Sequence, residues 1–147
     1  MMARKLYTIG YEGRSLGEFV EKLQGARVRT LLDVRQTAWS HKPGFSKTAL
    51  RLAVEKAGIR YAHAPQVGAP KALRVQLYSG WDYDAFFGGY EEHLNGLNGG
   101  LTKAASIANS GGSCLLCFEA EPAKCHRSAL AARFQQISGN GLEIIHL

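Results

Sequence analysis

The sequence predicts a single α/β domain with a mostly parallel, doubly wound sheet of about five strands and helices on both faces. Short apolar segments rich in β-branched residues alternate with segments of helical periodicity. The strand segments are apolar on both faces, as in parallel sheets covered by helices on both sides. Because 147 residues suffice for one hydrophobic core, we expect one Rossmann-like domain over residues 1–147. The expected strand order is 3-2-1-4-5, with the first strand central.

The first half of the chain contains three predicted strands and two predicted helices. The strands are KLYTIGY, RTLLDVR and IRYAHA. Ser15 and Glu18 form a capping-box pattern at the start of the first helix. A loop is expected at residues 36–45, and Ser46 is placed to cap the second helix, which Gly58 ends.

The second half is predicted to begin with a loop over residues 65–81, because no clear period is present there. Asp82 then caps a helix whose apolar residues are Phe86, Phe87, Tyr90 and Leu94. A short helix follows around residues 101–108. SCLLCFEA is the fourth strand, and Pro122 suits the first turn of the last helix. LEIIHL is the fifth strand.

Composition narrows the choice of partners and compartment. The formal net charge of +6 favours anionic partners, including phosphates, nucleotides and nucleic acid. The sequence has neither an apolar run as long as a membrane span nor an apolar secretory leader, so we expect a cytoplasmic protein that does not enter membranes. The three cysteines are accordingly expected to be free thiols.

Two polar segments follow predicted strands. GYEGR follows the first strand and EAEPAKCHR follows the fourth. In doubly wound sheets, ligands bind beyond the carboxyl ends of the strands, where the direction of winding reverses. We therefore expect a site in the crevice between the first and fourth strands.

The candidate catalytic residues are Glu119, Cys125, His126 and Asp33. Cys125 lies at a helix start, which stabilises a thiolate, so it is either a nucleophile or an inert buried thiol. His126 is either a general acid–base group or a core histidine bonded to the backbone. Glu119 and Asp33, at strand ends, are either acid–base groups or members of a buried ion-pair network.

A metal site is not expected from these residues. Cys114 and Cys117 point to opposite faces of a strand, and no second Cys-x-x-Cys pair is present. Both cysteines are therefore interpreted as small buried apolar residues. A set of Cys117, Cys125, His126 and Glu119 has a spacing that fits no common zinc pattern.

Arginine side chains are the expected ligands for an anion. Arg35 and Arg127 are the main candidates, although either could instead pair with a carboxylate. Further candidate ligand-binding residues are Gly10, Tyr11, Arg14 and Ser46. Gly10 and Gly13 lack the spacing of a dinucleotide fingerprint, so they indicate a tight turn near a small ligand.

The segment of residues 34–54 contains basic and aromatic residues and no acidic residue. Its basic residues are Arg35, Lys42, Lys47 and Arg51, and its aromatic residues are Trp39 and Phe45. Such a segment is interpreted as an anion-binding lid over the crevice. The alternative is a nucleic-acid-binding module that holds phosphates and stacks bases.

Several segments together resemble a known family. TIGYEGRSLGEFVEKL, LLDVR, PGFSKTAL, GIRYAHAPQVG and CFEAEPAKCHRSALAARF resemble DUF488, a family of uncharacterised proteins, over most of the chain. The most specific segment is the strand ending in glutamate, followed by Cys-His-Arg at a helix start. The resemblance implies an α/β fold and implies no established activity.

The sequence thus leads to an expected function without a reaction class. We expect a polar site at the strand carboxyl ends that binds a phosphate-bearing or other anionic small molecule, nucleotides among them. These residues leave open whether the protein also acts on this molecule as an enzyme. Neither a cofactor nor an oligomeric state is specified by these residues.

Overall fold

The computed structural model describes residues 4–139 and 141–147. One all-parallel, five-stranded sheet runs through it, with strands β1 (Arg4–Gly10), β2 (Thr30–Asp33), β3 (Arg60–His63), β4 (Ser113–Cys117) and β5 (Leu142–His146). The helices are α1 (Leu16–Gly25), α2 (Lys47–Lys56), α3 (Lys71–Gly80), α4 (Tyr83–Asn95), α5 (Gly99–Ala108) and α6 (His126–Ile137). Two 3₁₀ turns lie at Pro65–Val67 and Pro122–Lys124. The predicted α/β class and parallel sheet are confirmed.

The strand order is β3-β2-β4-β1-β5, so the predicted order 3-2-1-4-5 is wrong. β4, and not β1, is the central strand. Every residue of β4 is buried, whereas β1 begins with exposed Arg4 and Lys5 and pairs with β5 on its outer side. β2 therefore pairs directly with β4, and Gly10 at the end of β1 lies beside Cys117 at the end of β4.

Helices cover both faces of the sheet and form two cores. α1 and α2 pack on one face, where Phe19 and Leu50 are fully buried. The other four helices pack on the opposite face, where Tyr90 and Phe134 are fully buried. The chain leaves β2 and β4 toward opposite faces, so a crevice opens between the ends of these neighbouring strands.

The predicted loop at residues 65–81 contains a helix, α3, which begins after Pro70. Leu77 is its one buried side chain, and the apolar residues Val75 and Tyr78 are more than half exposed. A helix that buries so little has no apolar stripe, which is why the periodicity was too weak to predict it. Trp81 ends α3 in the left-handed conformation, with φ of 55°.

Two adjacent glycines lie inside α4 and explain how α3 packs against it. A Cβ atom at Gly89 would lie 2.5 Å from Cδ2 of Leu73, whereas a Cβ at Gly88 would meet no atom within 4 Å. Gly89 therefore allows α3 to approach α4 closely, and the predicted helix through Leu94 forms despite its glycine pair.

The predicted starts of α1 and α4 agree with the structure. Ser15 and Glu18 form a capping box with both reciprocal hydrogen bonds. Asp82 caps α4 by accepting a hydrogen bond from the Ala85 N–H. Within residues 4–139 and 141–147, the helices are too short and too polar to cross a membrane.

Gly10 is predicted to be essential for the fold of the strand ends. A Cβ atom at residue 10 would overlap the carbonyl group of Glu119, which belongs to the backbone and cannot rotate away. Gly10→Ala should therefore lower the free energy of unfolding by about 1–3 kcal/mol, as measured by urea denaturation. Gly88→Ala is the matched control, because its open surroundings should make it more stable by up to about 1 kcal/mol. Equal effects of the two substitutions would contradict this packing argument.

Candidate functional site

A cavity of about 150 Å³ lies at the carboxyl ends of β2 and β4. We call it the strand-end cavity. Its walls come from the end of β2 and the following loop, from α3 and α4, from the segment after β4 and from α6. The lining residues are Tyr11, Arg35, Gln36, Thr37, Trp39, Ala69, Arg74, Leu77, Tyr78, Phe86, Cys117, Phe118, Glu119 and His126. This volume holds roughly five water molecules, so the cavity admits one end of a larger ligand.

Cys117 and Cys125 form a disulfide, with their Cα atoms 7.2 Å apart. The prediction of three free thiols is therefore wrong, and among the described residues Cys114 alone is free and is buried in the core. The interpretation of Cys117 as an inert apolar residue is also wrong. Cys117 lines the cavity and is 4% exposed, whereas Cys125 does not line it and is 1% exposed.

The segment between the two cysteines explains their meeting. β4 ends at Cys117, and the 3₁₀ turn at Pro122–Lys124 leads the chain back to the start of α6. Pro122 therefore begins this short turn and not the first turn of α6. Cys125 is the N-cap residue of α6, and its sulfur accepts a hydrogen bond from the Arg127 N–H at 3.5 Å.

His126 presents a lone pair to both sulfurs. Its Nε2 atom lies 2.8 Å from the carbonyl oxygen of Val34, which can only accept a hydrogen bond. Nε2 therefore carries the proton, and Nδ1 is an acceptor that lies 3.7 Å from the Cys117 sulfur and 3.8 Å from the Cys125 sulfur. Burial lowers the pKa of His126 to about 4, so the ring is neutral at pH 7.

The same three residues are a potential set of metal ligands in the dithiol form. The sulfurs of Cys117 and Cys125 and a nitrogen of His126 lie within 4.8 Å of one another. Two thiolates and an imidazole are ligands typical of zinc. In the disulfide form the sulfurs are bonded to each other and offer no thiolate.

Glu119 lies in the segment beyond β4, and its side chain reaches the cavity next to the disulfide. Its Oε2 atom is 3.0 Å from the Cys117 sulfur. Burial raises the pKa of Glu119, and the hydrogen bond from its own N–H and the charge of Arg127 only partly oppose this effect. A carboxyl group with a raised pKa beside a sulfur can take up or release a proton there.

Asp33 and Arg35 form a buried ion pair at the end of β2. Asp33 accepts hydrogen bonds from Nε of Arg35 at 2.8 Å and from Nη2 at 2.6 Å, and it also accepts one from the Tyr61 hydroxyl. Since Asp33 is fully buried and does not line the cavity, it acts structurally and the predicted acid–base role is not supported.

Arg35 does line the cavity, but most of its donors are used within the protein. Its Nη1 atom donates to the carbonyl oxygen of Phe45 at 2.7 Å, and its guanidinium lies 5.5 Å from the centre of the Tyr11 ring. Burial alone would lower the pKa of Arg35, but the hydrogen bonds and charge of Asp33 raise it above the ordinary value. Arg35 is therefore a permanent positive charge in the cavity wall with little freedom to move.

Arg127 is fully buried and cannot bind a ligand in the cavity as predicted. Its guanidinium donates to Oγ1 of Thr8 at 3.2 Å, to the carbonyl oxygen of Ala120 at 3.1 Å and to that of Glu119. These three bonds attach the start of α6 to β1 and to the segment after β4. The predicted pairing with a glutamate carboxylate is replaced by bonding to backbone carbonyls.

Arg74 on α3 is a cavity residue that the sequence analysis missed. Its Nε donates to the carbonyl oxygen of Ala69 at 3.1 Å, and its Nη2 donates to Oε1 of Gln36 at 2.8 Å. No described carboxylate lies within 4.0 Å of its guanidinium nitrogens. The available signal was Pro70 followed by nine residues without proline or glycine, which is typical of a helix start.

Three aromatic side chains surround the mouth of the cavity. Trp39, Tyr78 and Phe118 all line it and are 57%, 56% and 45% exposed. Exposed aromatic side chains grouped around a cavity are typical of a binding site for a flat or apolar group.

The remaining predicted ligand-binding residues have different positions. Tyr11 lines the cavity. Gly10 allows the Glu119 backbone, and not a ligand, to approach β1. Arg14 donates to the carbonyl oxygens of Gly10 and Leu147, and the Ser46 hydroxyl bonds to the Ser40 backbone. Ser46 lies at the N-cap of α2 without a capping bond, and Gly10, Arg14 and Ser46 do not line the cavity.

Removing the Arg127 side chain should weaken the fold strongly. Arg127→Met removes a fully buried side chain and its hydrogen bonds to the buried Thr8 hydroxyl and to two partly buried carbonyl oxygens, so the free energy of unfolding should fall by about 3 kcal/mol in urea denaturation. Arg133→Met is the control, because Arg133 pairs with the partly exposed Glu91 near the surface and should cost about 1 kcal/mol or less. A smaller loss for Arg127→Met than for the control would contradict the structural role of Arg127.

His126 should make the stability depend on pH in the acidic range. Its pKa is 6.5 in the unfolded chain and about 4 in the fold, so the unfolded chain binds the proton more tightly. The contribution of the neutral His126 ring to the free energy of unfolding is fully present above pH 6.5. It falls by roughly 3 kcal/mol as the pH is lowered to 4.

The measurement is the free energy of unfolding at a series of pH values for wild type and His126→Asn. Between pH 6.5 and pH 4, the free energy of unfolding of the wild type should fall by this amount relative to that of the variant. His41→Asn, which removes an exposed histidine, is the control. A difference that stays constant with pH would show that His126 is not held neutral.

The comparisons with known proteins agree with the resemblance found in the sequence. The family model DUF488, described as a domain of unknown function, matches residues 15–134. No curated protein and no solved structure matches the chain. The matched range extends from the N-cap of α1 into the last turns of α6 and includes Arg35, Arg74, Glu119 and the Cys-His-Arg segment. The chain therefore belongs to the DUF488 family.

Proposed function

We propose that the strand-end cavity binds a small anionic molecule with a flat or apolar part, such as a phosphate-bearing compound or a nucleotide, and that the protein acts on it. The observation that carries this proposal is Arg74, a cation in the cavity wall whose described partners are neutral oxygens. An anion that entered the cavity would be the first full negative charge to approach this guanidinium closely. Charge-assisted hydrogen bonds of this kind are stronger than neutral ones.

The surroundings of Arg74 support an anionic ligand. Arg35 lines the same cavity, whereas Asp33, the carboxylate that neutralises it, does not line the cavity. Glu119 is the acidic residue in the wall, and its raised pKa reduces the repulsion that it exerts on an anion. The net charge of +6 adds a weak attraction at long range.

The mouth of the cavity supports a ligand with a planar part. Trp39, Tyr78 and Phe118 offer ring surfaces on which a base or another flat group can stack. Because the cavity itself holds only roughly five water molecules, we propose that one end of the ligand enters it and that the rest lies between these rings.

The alternative of nucleic-acid binding through residues 34–54 has less support. Three of the four basic side chains in that segment contact groups of the protein itself, namely Arg35, Lys42 and Arg51. The described segment therefore does not present a row of unpaired basic side chains that could bind successive phosphates of a nucleic acid. Binding to arbitrary RNA or DNA that weakens steeply with salt would revive this alternative.

Arg74→Gln should lower the affinity for anions about tenfold, since it removes a charged donor and keeps a polar side chain of similar reach. The probes are inorganic phosphate and a nucleoside monophosphate, and binding is measured by calorimetry at low ionic strength. Lys71→Gln removes the same charge from an exposed position on the same helix, outside the cavity, and should change affinity little. Binding of neither probe, or equal losses in both variants, would contradict the proposal.

A further inference from the structure

We propose that Cys117 and Cys125 are a redox-active pair that exchanges its disulfide with a small anionic thiol bound in the strand-end cavity. The first observation behind this inference is that the two sulfurs differ in access. Both cysteines are buried, at 4% exposure for Cys117 and 1% for Cys125, but Cys117 lines the cavity and Cys125, the N-cap residue of α6, does not. A thiol that enters the cavity therefore meets the sulfur of Cys117 first.

The exchange proceeds in two displacements. The thiolate of the ligand attacks the Cys117 sulfur; a bond forms between these two sulfurs, the Cys117–Cys125 bond breaks, and Cys125 leaves with the electron pair as a thiolate. A second ligand thiolate attacks the ligand sulfur of this mixed disulfide and releases Cys117 as a thiolate. Two thiols are thereby oxidised to one disulfide, the protein disulfide is reduced to two thiols, and the two protons of the ligand thiols end on the two cysteines.

The surroundings of Cys125 suit a leaving group. Its sulfur sits at the N-cap of α6, a helix of 12 residues, and accepts the Arg127 N–H at 3.5 Å. A helix N-terminus stabilises the negative charge that Cys125 acquires when the disulfide breaks. Nδ1 of His126, 3.8 Å away, is an acceptor for the S–H proton once the thiol forms.

The surroundings of Cys117 suit proton transfer. Oε2 of Glu119 lies 3.0 Å from the Cys117 sulfur, and Nδ1 of His126 lies 3.7 Å from it. Glu119 can accept a proton from an incoming thiol and return it to Cys117 after the second displacement. In the reverse direction it accepts the proton of Cys117 when that thiol attacks a small disulfide.

The anionic character of the substrate rests on the proposed function of the cavity. Arg74 and Cys117 line the same small cavity, so a substrate that contacts both carries its negative charge a few bonds from its thiol. A disulfide in a protein that is expected in the cytoplasm is also more typical of catalysis or redox sensing than of structural support.

The experiment compares two small thiols on the oxidised protein, with a metal chelator present. The probes are 3-mercaptopropionate, which is anionic, and 2-mercaptoethanol, which is neutral, each corrected for its thiolate concentration. Samples are quenched by alkylation at intervals, and peptide mapping measures mixed disulfide at each cysteine.

In the wild type we expect the mixed disulfide at Cys117, at least about tenfold more than at Cys125, and no adduct at Cys114. We expect 3-mercaptopropionate to react about tenfold faster than 2-mercaptoethanol. Arg74→Gln should slow 3-mercaptopropionate until it reacts no faster than 2-mercaptoethanol, whereas Lys71→Gln should keep the preference. Cys125→Ser, treated with the disulfide of 3-mercaptopropionate, should accumulate a stable adduct on Cys117.

Two different failures are distinguishable. If the native wild type shows no disulfide, or if Cys117 reacts only after denaturation, the redox pair is overturned, whatever the calorimetry of anion binding shows. If exchange occurs at Cys117 but both thiols react equally in wild type and Arg74→Gln, the anionic substrate class and the proposed function are overturned, and the exchange chemistry is supported. The wild-type arm requires no variant, so a substitution that fails to fold does not prevent the test.

Discussion

The buried guanidinium of Arg127 is the interaction on which the shape of the site depends. It is the largest fully buried side chain, and its donors reach β1 through Thr8 and reach the segment after β4 through the carbonyl oxygens of Glu119 and Ala120. Because these bonds hold that segment against the end of β1, the chain must turn back at once toward α6. This return is what brings Cys125 under Cys117 and leaves the Glu119 side chain pointing at the sulfur.

A cation without a carboxylate partner is an unusual choice for such a position. Burial lowers the pKa of Arg127, but an arginine side chain remains charged in proteins even then. Backbone carbonyls satisfy its donors without adding a negative charge, so the positive charge is not cancelled locally. The Asp33–Arg35 pair, two strands away, is by contrast nearly neutral as a unit. Arg127 therefore adds a positive charge at the strand ends, which the nearby Glu119 carboxylate opposes in part.

The fold class could be predicted from the sequence because each element carries its own local pattern. Strand segments that are apolar on both faces and the capping box at Ser15 need no knowledge of the rest of the chain. The order of the strands could not be predicted, because it depends on which strand is buried most completely against both helical layers. α3 was missed because it buries one side chain, Leu77, and so lacks the pattern that defines helices in sequences.

The site was predicted by position more successfully than by role. Glu119, Cys125 and His126 do meet at the end of β4, as the placement of strand ends implies. The pairing of Cys117 with Cys125 depends on a turn at Pro122 whose geometry is not evident from spacing. Arg127 in the protein interior and Arg35 and Arg74 in the cavity wall differ only in tertiary contacts, which local sequence does not contain.

The small buried surface of α3, which made this helix hard to predict, also determines how easily the helix can detach from the fold. α3 buries one side chain, Leu77, and therefore removes little apolar surface from water when it packs. Its detachment should cost less free energy than that of α6, which buries five residues. α3 carries Arg74, Leu77 and Tyr78 and forms one wall of the cavity. Transient detachment of α3 would therefore widen the cavity at a lower cost in free energy than detachment of α6.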